Sequence, residues 1–138
     1  MAAPNESTAL PDAVRQFLES PRYATIATIQ PDGSVHQAVV WYGFLDDGSL
    51  FVNSRNGRRW PANLERDPRI AIAVFDDAEP NHWVSIRGTT EVVRSGEPAV
   101  ADIQALARRY DGNDGNFVGQ DRITFRVHPQ STFEYGDD

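Results

Sequence analysis

Arginines cluster in one short segment, at the point where an apolar run ends and a helical pattern begins. Arg55, Arg58 and Arg59 lie within five residues, and the first of them is three positions after the apolar run at residues 50–52. Arginine presents a rigid fork of N–H donors that matches phosphate and carboxylate oxygens. A helix N-terminus adds unpaired N–H groups and a partial positive charge. The segment therefore predicts an anion site at a strand-to-helix junction, although a solvated helix face explains the same charges equally well.

The composition limits the chemistry that this chain can perform. All 13 basic residues are arginine and 20 residues are acidic, so the formal net charge is −7, which argues against nucleic acid as the main partner. The absence of lysine excludes Schiff-base chemistry, and the absence of cysteine excludes disulfides and thiolate nucleophiles. No apolar run approaches membrane-spanning length and no signal peptide is recognisable, so the cytoplasm is the expected compartment.

The other reactive side chains form no recognised motif. His36, His82 and His128 lack metal-ligand spacing, so no metal site is predicted. The sequence contains no glycine-rich nucleotide loop and no nucleophile elbow. Trp41 and Trp60 flank the arginine segment, and each can either stack on a flat ligand or pack in the core.

Hydrophobic periodicity predicts the elements that position these residues. We expect one domain over residues 1–138, with a flexible N-terminus over residues 1–9. The predicted strands cover residues 23–29, 35–44, 50–53, 69–75, 82–94 and 121–127, and the predicted helices cover residues 10–20, 60–66 and 98–110. Six strands without βαβ alternation predict an antiparallel barrel with peripheral helices.

Three details of these strands are also predicted. Residues 69–75 are nearly all apolar, so we expect that strand to be buried on both faces. Gly88 lies inside the fifth strand and indicates a bulge or a close approach of backbone. Pro129 follows the sixth strand, and a short tail is expected after it.

Four passages carry a resemblance to a known family. They are the opening hairpin at residues 24–33, the strand at residues 35–42, the Asn-Leu-Glu-Arg-Asp-Pro-Arg run at residues 63–69, and Ala-Arg-Arg-Tyr at residues 107–110 with Asp114 and Gly115. The chain resembles the pyridoxamine 5'-phosphate oxidase-like superfamily, and more closely its actinobacterial branch of oxidoreductases that use the deazaflavin coenzyme F420. The resemblance covers nearly the whole chain. It implies a mainly β fold, a six-stranded antiparallel split β-barrel of the FMN-binding type.

The resemblance also implies a homodimer with cofactor sites at its interface, and it assigns residues to those sites. By position, the cofactor-binding residues are Gln37 and Val39 along the ring, Asn53 and Ser54 near the ribityl chain, Arg58 and Arg59 at the phosphate, Asn63 as a brace of the loop, and Arg55 at the phosphate or the acidic tail. Trp60 stands where the family commonly has a basic residue, and Arg59 is expected to supply the missing charge. Trp41 and Tyr135 are expected to be walls of a substrate pocket.

The function implied is an F420H2-dependent reductase that transfers a hydride to an electron-poor conjugated small molecule. The alternatives are an FMN-dependent oxidoreductase of the same fold and a non-catalytic protein that binds a flavin or deazaflavin. No catalytic residue is assigned, and Tyr42, His36 and solvent all remain candidate proton donors. A true pyridoxamine phosphate oxidase needs a second phosphate site, and the only other arginine pair, Arg108 and Arg109, is interpreted as an exposed helix face.

Overall fold

Seven strands and three helices make up the part of the chain that the computed structural model describes, residues 9–136. The predicted flexible N-terminus falls mostly on residues 1–8, which lie outside the described residues. The strands are β1 (Ala24–Ile29), β2 (Val35–Val40), β3 (Gly43–Phe44), β4 (Leu50–Arg55), β5 (Arg69–Phe75), β6 (Trp83–Gly96) and β7 (Arg122–Tyr135). The helices are α1 (Asp12–Leu18), α2 (Arg59–Arg66) and α3 (Val100–Arg109), with 3-10 turns at Glu97–Ala99 and Asp114–Phe117.

All seven strands belong to one antiparallel sheet in the order β2-β1-β5-β6-β7-β4-β3. The mainly β antiparallel fold with peripheral helices is confirmed, but the prediction of a six-stranded split β-barrel is wrong in its number of strands, and the sheet is not closed into a barrel. The sheet has seven strands, and no strand pair of the described chain joins β2 to β3. None of the helices in residues 9–136 has the length and apolar character needed to cross a membrane.

The extra strand arises because the predicted strand at residues 35–44 is interrupted. Its first part pairs with β1 at one edge of the sheet, and its last two residues pair with β4 near the opposite edge. Tyr42 lies at the interruption and is buried. Its backbone N–H donates to the Tyr110 hydroxyl at 3.2 Å, and its own hydroxyl donates to the Ser20 carbonyl at 2.8 Å. The bond from the Tyr42 backbone N–H replaces a ladder bond that a continuous strand would make, and the bond from its hydroxyl fixes the buried ring.

A bulge in the β6–β7 pair extends the last strand beyond its predicted end. The register shifts between Arg87 and Gly88, and Gly88 pairs with Pro129. A Cβ on Gly88 would lie 2.1 Å from the His128 carbonyl oxygen, so the two backbones approach as closely as glycine alone allows. The predicted bulge is confirmed. The predicted end of the strand before Pro129 is wrong, because a bulge is a place where a sheet accepts proline.

The prediction that β5 is buried on both faces is also wrong. Ile70, Ile72 and Val74 are buried, whereas the alternate residues Ala73 and Phe75 are exposed. The buried face of the sheet packs against α1 and α2 in the main core. A second cluster packs α3 on β4 through Phe51, Ile103 and Leu106, with Trp41 against it.

Candidate functional site

A cavity of about 240 Å³ opens where the end of β2, the end of β4 and the start of α2 meet. Its lining consists of Tyr23, Val39, Val40, Trp41, Asn53, Ser54, Arg58, Trp60, Ile103 and Arg122. Two of these residues are cationic and three are aromatic. Folding thus places the arginine-rich junction between β4 and α2 against the edge strand β2. The two segments are more than ten residues apart in the sequence.

The charged end of the cavity contains a buried arginine. Arg122 is the first residue of β7 and pairs with Arg55 of β4, and it is only 7% exposed. Its Nε donates to the Asn53 side-chain oxygen at 2.9 Å, and one terminal nitrogen donates to the Gln120 side-chain oxygen at 2.8 Å. The guanidinium carbon lies 5.4 Å from the centre of the Phe117 ring.

The surroundings of Arg122 disfavour its positive charge. Burial, and after it the like charges of Arg58 and Arg55, lower the pKa of Arg122 to about 10. The group is still a cation at neutral pH. Because a buried cation is costly unless it is paired, this end of the cavity is a favourable place for an anion.

A buried chain of hydrogen bonds fixes the residue that holds Arg122. The Asn53 amide donates to the Thr124 hydroxyl at 2.8 Å and to the Ala99 carbonyl at 3.0 Å. The Thr124 hydroxyl donates to Asp102 of α3 at 2.6 Å, and Asp102 forms an ion pair with Arg94 at 2.7 Å. These bonds to the Asn53 amide orient its side-chain oxygen towards Arg122.

The cavity lining also contains a flat aromatic wall. Trp41 stacks on Tyr110 with ring centres 5.1 Å apart and an angle of 10° between the planes. The Tyr110 hydroxyl donates to the Arg22 carbonyl at 2.6 Å, which fixes the ring that supports Trp41. Burial raises the pKa of Tyr110, so the hydroxyl stays protonated as a donor. Tyr23 also lines the cavity and is 57% exposed. A planar ligand would therefore find apolar surface on Trp41 and on Tyr23.

A protein-family model described as pyridoxamine 5'-phosphate oxidase matches residues 10–134. The chain belongs to this family. No curated protein sequence matches it.

Solved structures support the same family fold. An F420 reductase has 28% identity to this family member and a TM-score of 0.78, with 90% of this chain and 98% of that chain covered. A conserved hypothetical protein, Rv2991 from Mycobacterium tuberculosis, has 24% identity and a TM-score of 0.76, with 98% and 89% covered. The heme storage protein HutZ from Vibrio cholerae has 20% identity and a TM-score of 0.71, with 94% and 96% covered. The likenesses below 25% identity concern the fold alone.

Part of the predicted cofactor site of this family member comes together in the cavity. Val39, Asn53, Ser54, Arg58 and Trp60 line it, as does the predicted substrate wall Trp41. Trp60 is also a core residue: it is 7% exposed and its ring centre lies 5.9 Å from that of Phe125. Trp60 therefore packs in the core and also lines the cavity.

The structure places the other predicted site residues outside the cavity lining. Arg55, Arg59 and Gln37 are exposed beside it. Asn63 is buried and donates to the Thr28 hydroxyl at 3.1 Å, so its side chain holds α2 against β1. Tyr135 stacks with Trp83 on the outer face of the sheet, with ring centres 5.8 Å apart.

The pair Arg108 and Arg109 has two different roles in the structure. Arg108 is exposed and forms an ion pair with Asp114 at 3.0 Å, as a solvated helix face would. Arg109 is half-buried, and it donates to the Leu18 carbonyl at 2.7 Å, at the C-terminal end of α1. Neither arginine lines the cavity described above.

Sequence reasoning missed Arg122 and Tyr23. Arg122 occupies a position of β7 where alternation predicts a solvated side chain, because Ile123 and Phe125 take the core positions. In the structure both faces of this part of β7 are buried, so Arg122 is enclosed. The available signal was weak: an arginine at the start of an apolar strand, with no indication of which segment covers it.

Proposed function

We propose that this protein is an F420H2-dependent reductase that transfers a hydride to an electron-poor, conjugated small molecule. The observation that carries the proposal is the cavity whose lining contains both the cations Arg58 and Arg122 and the flat aromatic side chain of Trp41. The 28% identity to an F420 reductase over 90% of the chain supports the choice of coenzyme. When bound, the deazaflavin supplies the hydride, and the protein supplies binding and orientation.

The residues in the cavity fit a phosphate-bearing planar cofactor. Two guanidinium groups match the oxygens of a phosphate, and Ser54 adds a hydroxyl to the lining. Val39 and Trp41 provide apolar surface for a ring. The volume of about 240 Å³ is below the usual range for a drug-sized ligand, so we propose that the remainder of the coenzyme lies over the open surface near Arg55.

The protein's contribution to the reaction is positional. Arg58 and Arg122 would hold the phosphate, and Val39 would exclude water from one face of the ring. Trp41, held by Tyr110, would keep a conjugated substrate parallel to the ring. Tyr42 is buried with its hydroxyl bonded to Ser20, and His36 does not line the cavity, so we propose water as the proton source.

We further propose that the protein acts as a homodimer with the cavity at its interface. The outer face of the sheet exposes apolar side chains on β2, β5 and β7, namely Val39, Phe75, Phe133 and Tyr135. Val39 belongs both to this surface and to the cavity lining. A second copy of the chain that covers the surface would therefore also border the cavity. Contiguous exposed apolar patches are typical of interaction surfaces.

An FMN-dependent oxidoreductase is the second candidate, because FMN carries a phosphate that the same two arginines would fit. The two coenzymes differ in the acidic tail of F420. Arg55 is exposed outside the cavity, where it would contact a tail but not the phosphate of FMN. A non-catalytic protein that binds either molecule would use the same contacts.

A binding titration tests the proposal. Purified apo-protein is titrated with F420 and FMN side by side, followed by a turnover assay with an artificial electron acceptor. We expect F420 to bind more tightly and to support turnover. Arg58→Ala should weaken F420 binding about 10- to 150-fold, since a charged hydrogen bond contributes about 1.5–3 kcal/mol.

The control for charge alone is Arg108→Ala, because Arg108 is exposed and outside the cavity. It should leave the affinity for F420 within about twofold of wild type. Preference for FMN would move the function to a flavin enzyme, and binding without turnover would favour a carrier. If neither coenzyme binds, the reductase proposal fails.

A further inference from the structure

The hydrogen bonds that lead from Arg122 through Asn53 into the protein all donate in the same direction. The Arg122 Nε donates to the Asn53 side-chain oxygen at 2.9 Å, and the Asn53 amide donates to the Thr124 hydroxyl at 2.8 Å. The Thr124 hydroxyl in turn donates to Asp102 at 2.6 Å. This row of donors begins at a buried cation in the cavity lining and ends at a carboxylate on α3, outside the lining.

The carboxylate at the end of the row determines its direction. A carboxylate only accepts hydrogen bonds, so the Thr124 hydroxyl has to donate to Asp102, and its lone pairs are left for the Asn53 amide. The same amide nitrogen also donates to the Ala99 carbonyl at 3.0 Å. Because two acceptors hold its nitrogen, Asn53 presents its oxygen to Arg122, which is the atom that a guanidinium donor requires.

A register shift in the sheet brings a second arginine to the far end of this row. Thr124 pairs with Asn53 on β4 and with Arg94 on β6, so the three residues lie side by side across the sheet. The β6 register shifts just before Arg94, and an unshifted ladder would place Val93 opposite Thr124. From this position Arg94 donates twice to Asp102, at 2.7 and 3.0 Å. Irregularities of this kind re-aim a side chain.

We propose that Arg94, Asp102 and Thr124 are positioning residues that hold Arg122 in the orientation in which it faces the cavity, although all three lie outside the cavity lining. Together with Asn53 they form a relay from the surface of β6 to the cavity. Hydrogen bonds in such a chain polarise one another, so a charge at one end strengthens the bond at the other. The inference rests on the proposed function only where it concerns F420, since the orientation of Arg122 is a property of the protein alone.

Hydrogen exchange at the Arg122 Nε–H tests the positioning without any ligand. A buried, hydrogen-bonded proton exchanges slowly with water, and its NMR signal is identified by its loss in Arg122→Lys. Thr124→Val keeps the shape of the side chain but removes the hydroxyl. Because the Ala99 carbonyl still holds the Asn53 amide, we expect exchange to become about 3- to 10-fold faster, as for one lost hydrogen bond. Thr124→Ser restores the hydroxyl and should restore slow exchange.

The same variants should change the affinity for the coenzyme. A less well oriented Arg122 binds an anionic group less tightly, so we expect Thr124→Val to raise the Kd for F420 about 3- to 10-fold. Thr124→Ser should bring this Kd back towards the wild-type value. A rescue by serine separates the hydroxyl of the relay from the packing of the threonine side chain.

Arg94→Gln tests the relay from its exposed end, and it remains available if Thr124→Val fails to fold. The Arg94 side chain is 41% exposed, and loss of its ion pair should speed exchange at Arg122 and weaken F420 binding about threefold. Arg108→Gln is the matched control. It also removes an arginine from an ion pair with an aspartate, Asp114, but this pair lies outside the relay. Both readouts should match wild type.

Three results would overturn the inference. They are unchanged exchange at Arg122 in Thr124→Val, an equal effect of Arg94→Gln and Arg108→Gln, and undiminished F420 binding by Thr124→Val. A wild-type protein that does not bind F420 rejects the proposed function instead. In that case faster exchange in Thr124→Val and Arg94→Gln than in wild type still supports the relay, and equal rates reject it.

Discussion

At the scale of single residues, the Tyr110 hydroxyl connects the aromatic wall to the rest of the fold. It accepts from the Tyr42 backbone N–H and donates to the Arg22 carbonyl, while its ring supports Trp41. One side chain thereby holds the interruption between β2 and β3 and the wall of the cavity. The partners of this hydroxyl lie 68 and 88 positions away in the chain, so local sequence patterns do not identify them.

Removal of this hydroxyl by Tyr110→Phe should change how stability depends on pH. Burial raises the pKa of Tyr110 above its ordinary value of 10.0, so the folded state holds this proton at a pH where the unfolded chain loses it. The protonated Tyr110 hydroxyl therefore contributes to stability below pH 10, and this contribution is lost as the pH rises further. We expect the variant to be about 1–2 kcal/mol less stable at pH 8, with a smaller difference above pH 10.

Urea unfolding of wild type and Tyr110→Phe at pH 8 and at several values above pH 10 measures this difference. Arg122 also titrates in the alkaline range, but Tyr110 is not among the causes of its pKa shift, so its effect is common to both proteins. The pKa of Tyr42 is raised in part by Tyr110, so the difference above pH 10 reports the two tyrosines together. A difference in unfolding free energy that stays constant across the range would contradict the assignment of Tyr110 as a buried donor.

At the scale of elements, the bulge at Gly88 lets β6 and β7 run the length of the sheet. The part of β6 before Gly88 pairs with the C-terminal part of β7. The part of β6 after Gly88 pairs with the N-terminal part of β7, which begins with Arg122. The sequence predicted the bulge from a glycine inside a strand pattern. It did not predict that β7 continues to Tyr135, because Pro129 looked like an end signal without knowledge of its partner.

Gly88→Ala tests how closely the two strands approach. A Cβ would lie 2.1 Å from the His128 carbonyl oxygen, so backbone has to move. We expect a loss of about 3 kcal/mol in unfolding free energy, at the upper end for overpacking. Gly33→Ala is the control: it has a positive φ of 88° but no atom within 4 Å of the added Cβ, so only backbone strain of about 1 kcal/mol should result. Equal losses in denaturant titrations would reject the close approach as the reason for glycine.

At the scale of the whole molecule, the sheet has a covered face and an exposed apolar face. The helices cover the first. On the second, the register aligns Phe75, Trp83 and Tyr135 across three strands, and Phe133 lies in the next row opposite Ser85. Such a surface on an otherwise acidic chain agrees with the proposed homodimer.

Phe133→Glu should therefore disrupt the dimer. Phe133 is 56% exposed in the single chain, and a carboxylate there would have to be desolvated in an apolar interface. We expect wild type to sediment as a dimer and the variant as a monomer at micromolar concentration. Val118→Glu is the control, because Val118 is 72% exposed but lies outside the strands of this face, and it should remain dimeric. A monomeric wild-type protein would reject the proposal.

The sequence by itself determined the local features of this protein. Runs of apolar and β-branched residues identified β1, β4 and β5 to within a few residues, and the arginine run at the start of α2 identified the junction where the cavity opens. Hydrophobic spacing and local charge specify such features because they act between residues close in the chain. Only the tertiary structure decided that the strand at residues 35–44 divides between two sheet edges and that β5 has one exposed face. It also decided that Arg122 is enclosed beside Arg58, since burial and an unpaired charge depend on which distant segments cover a residue.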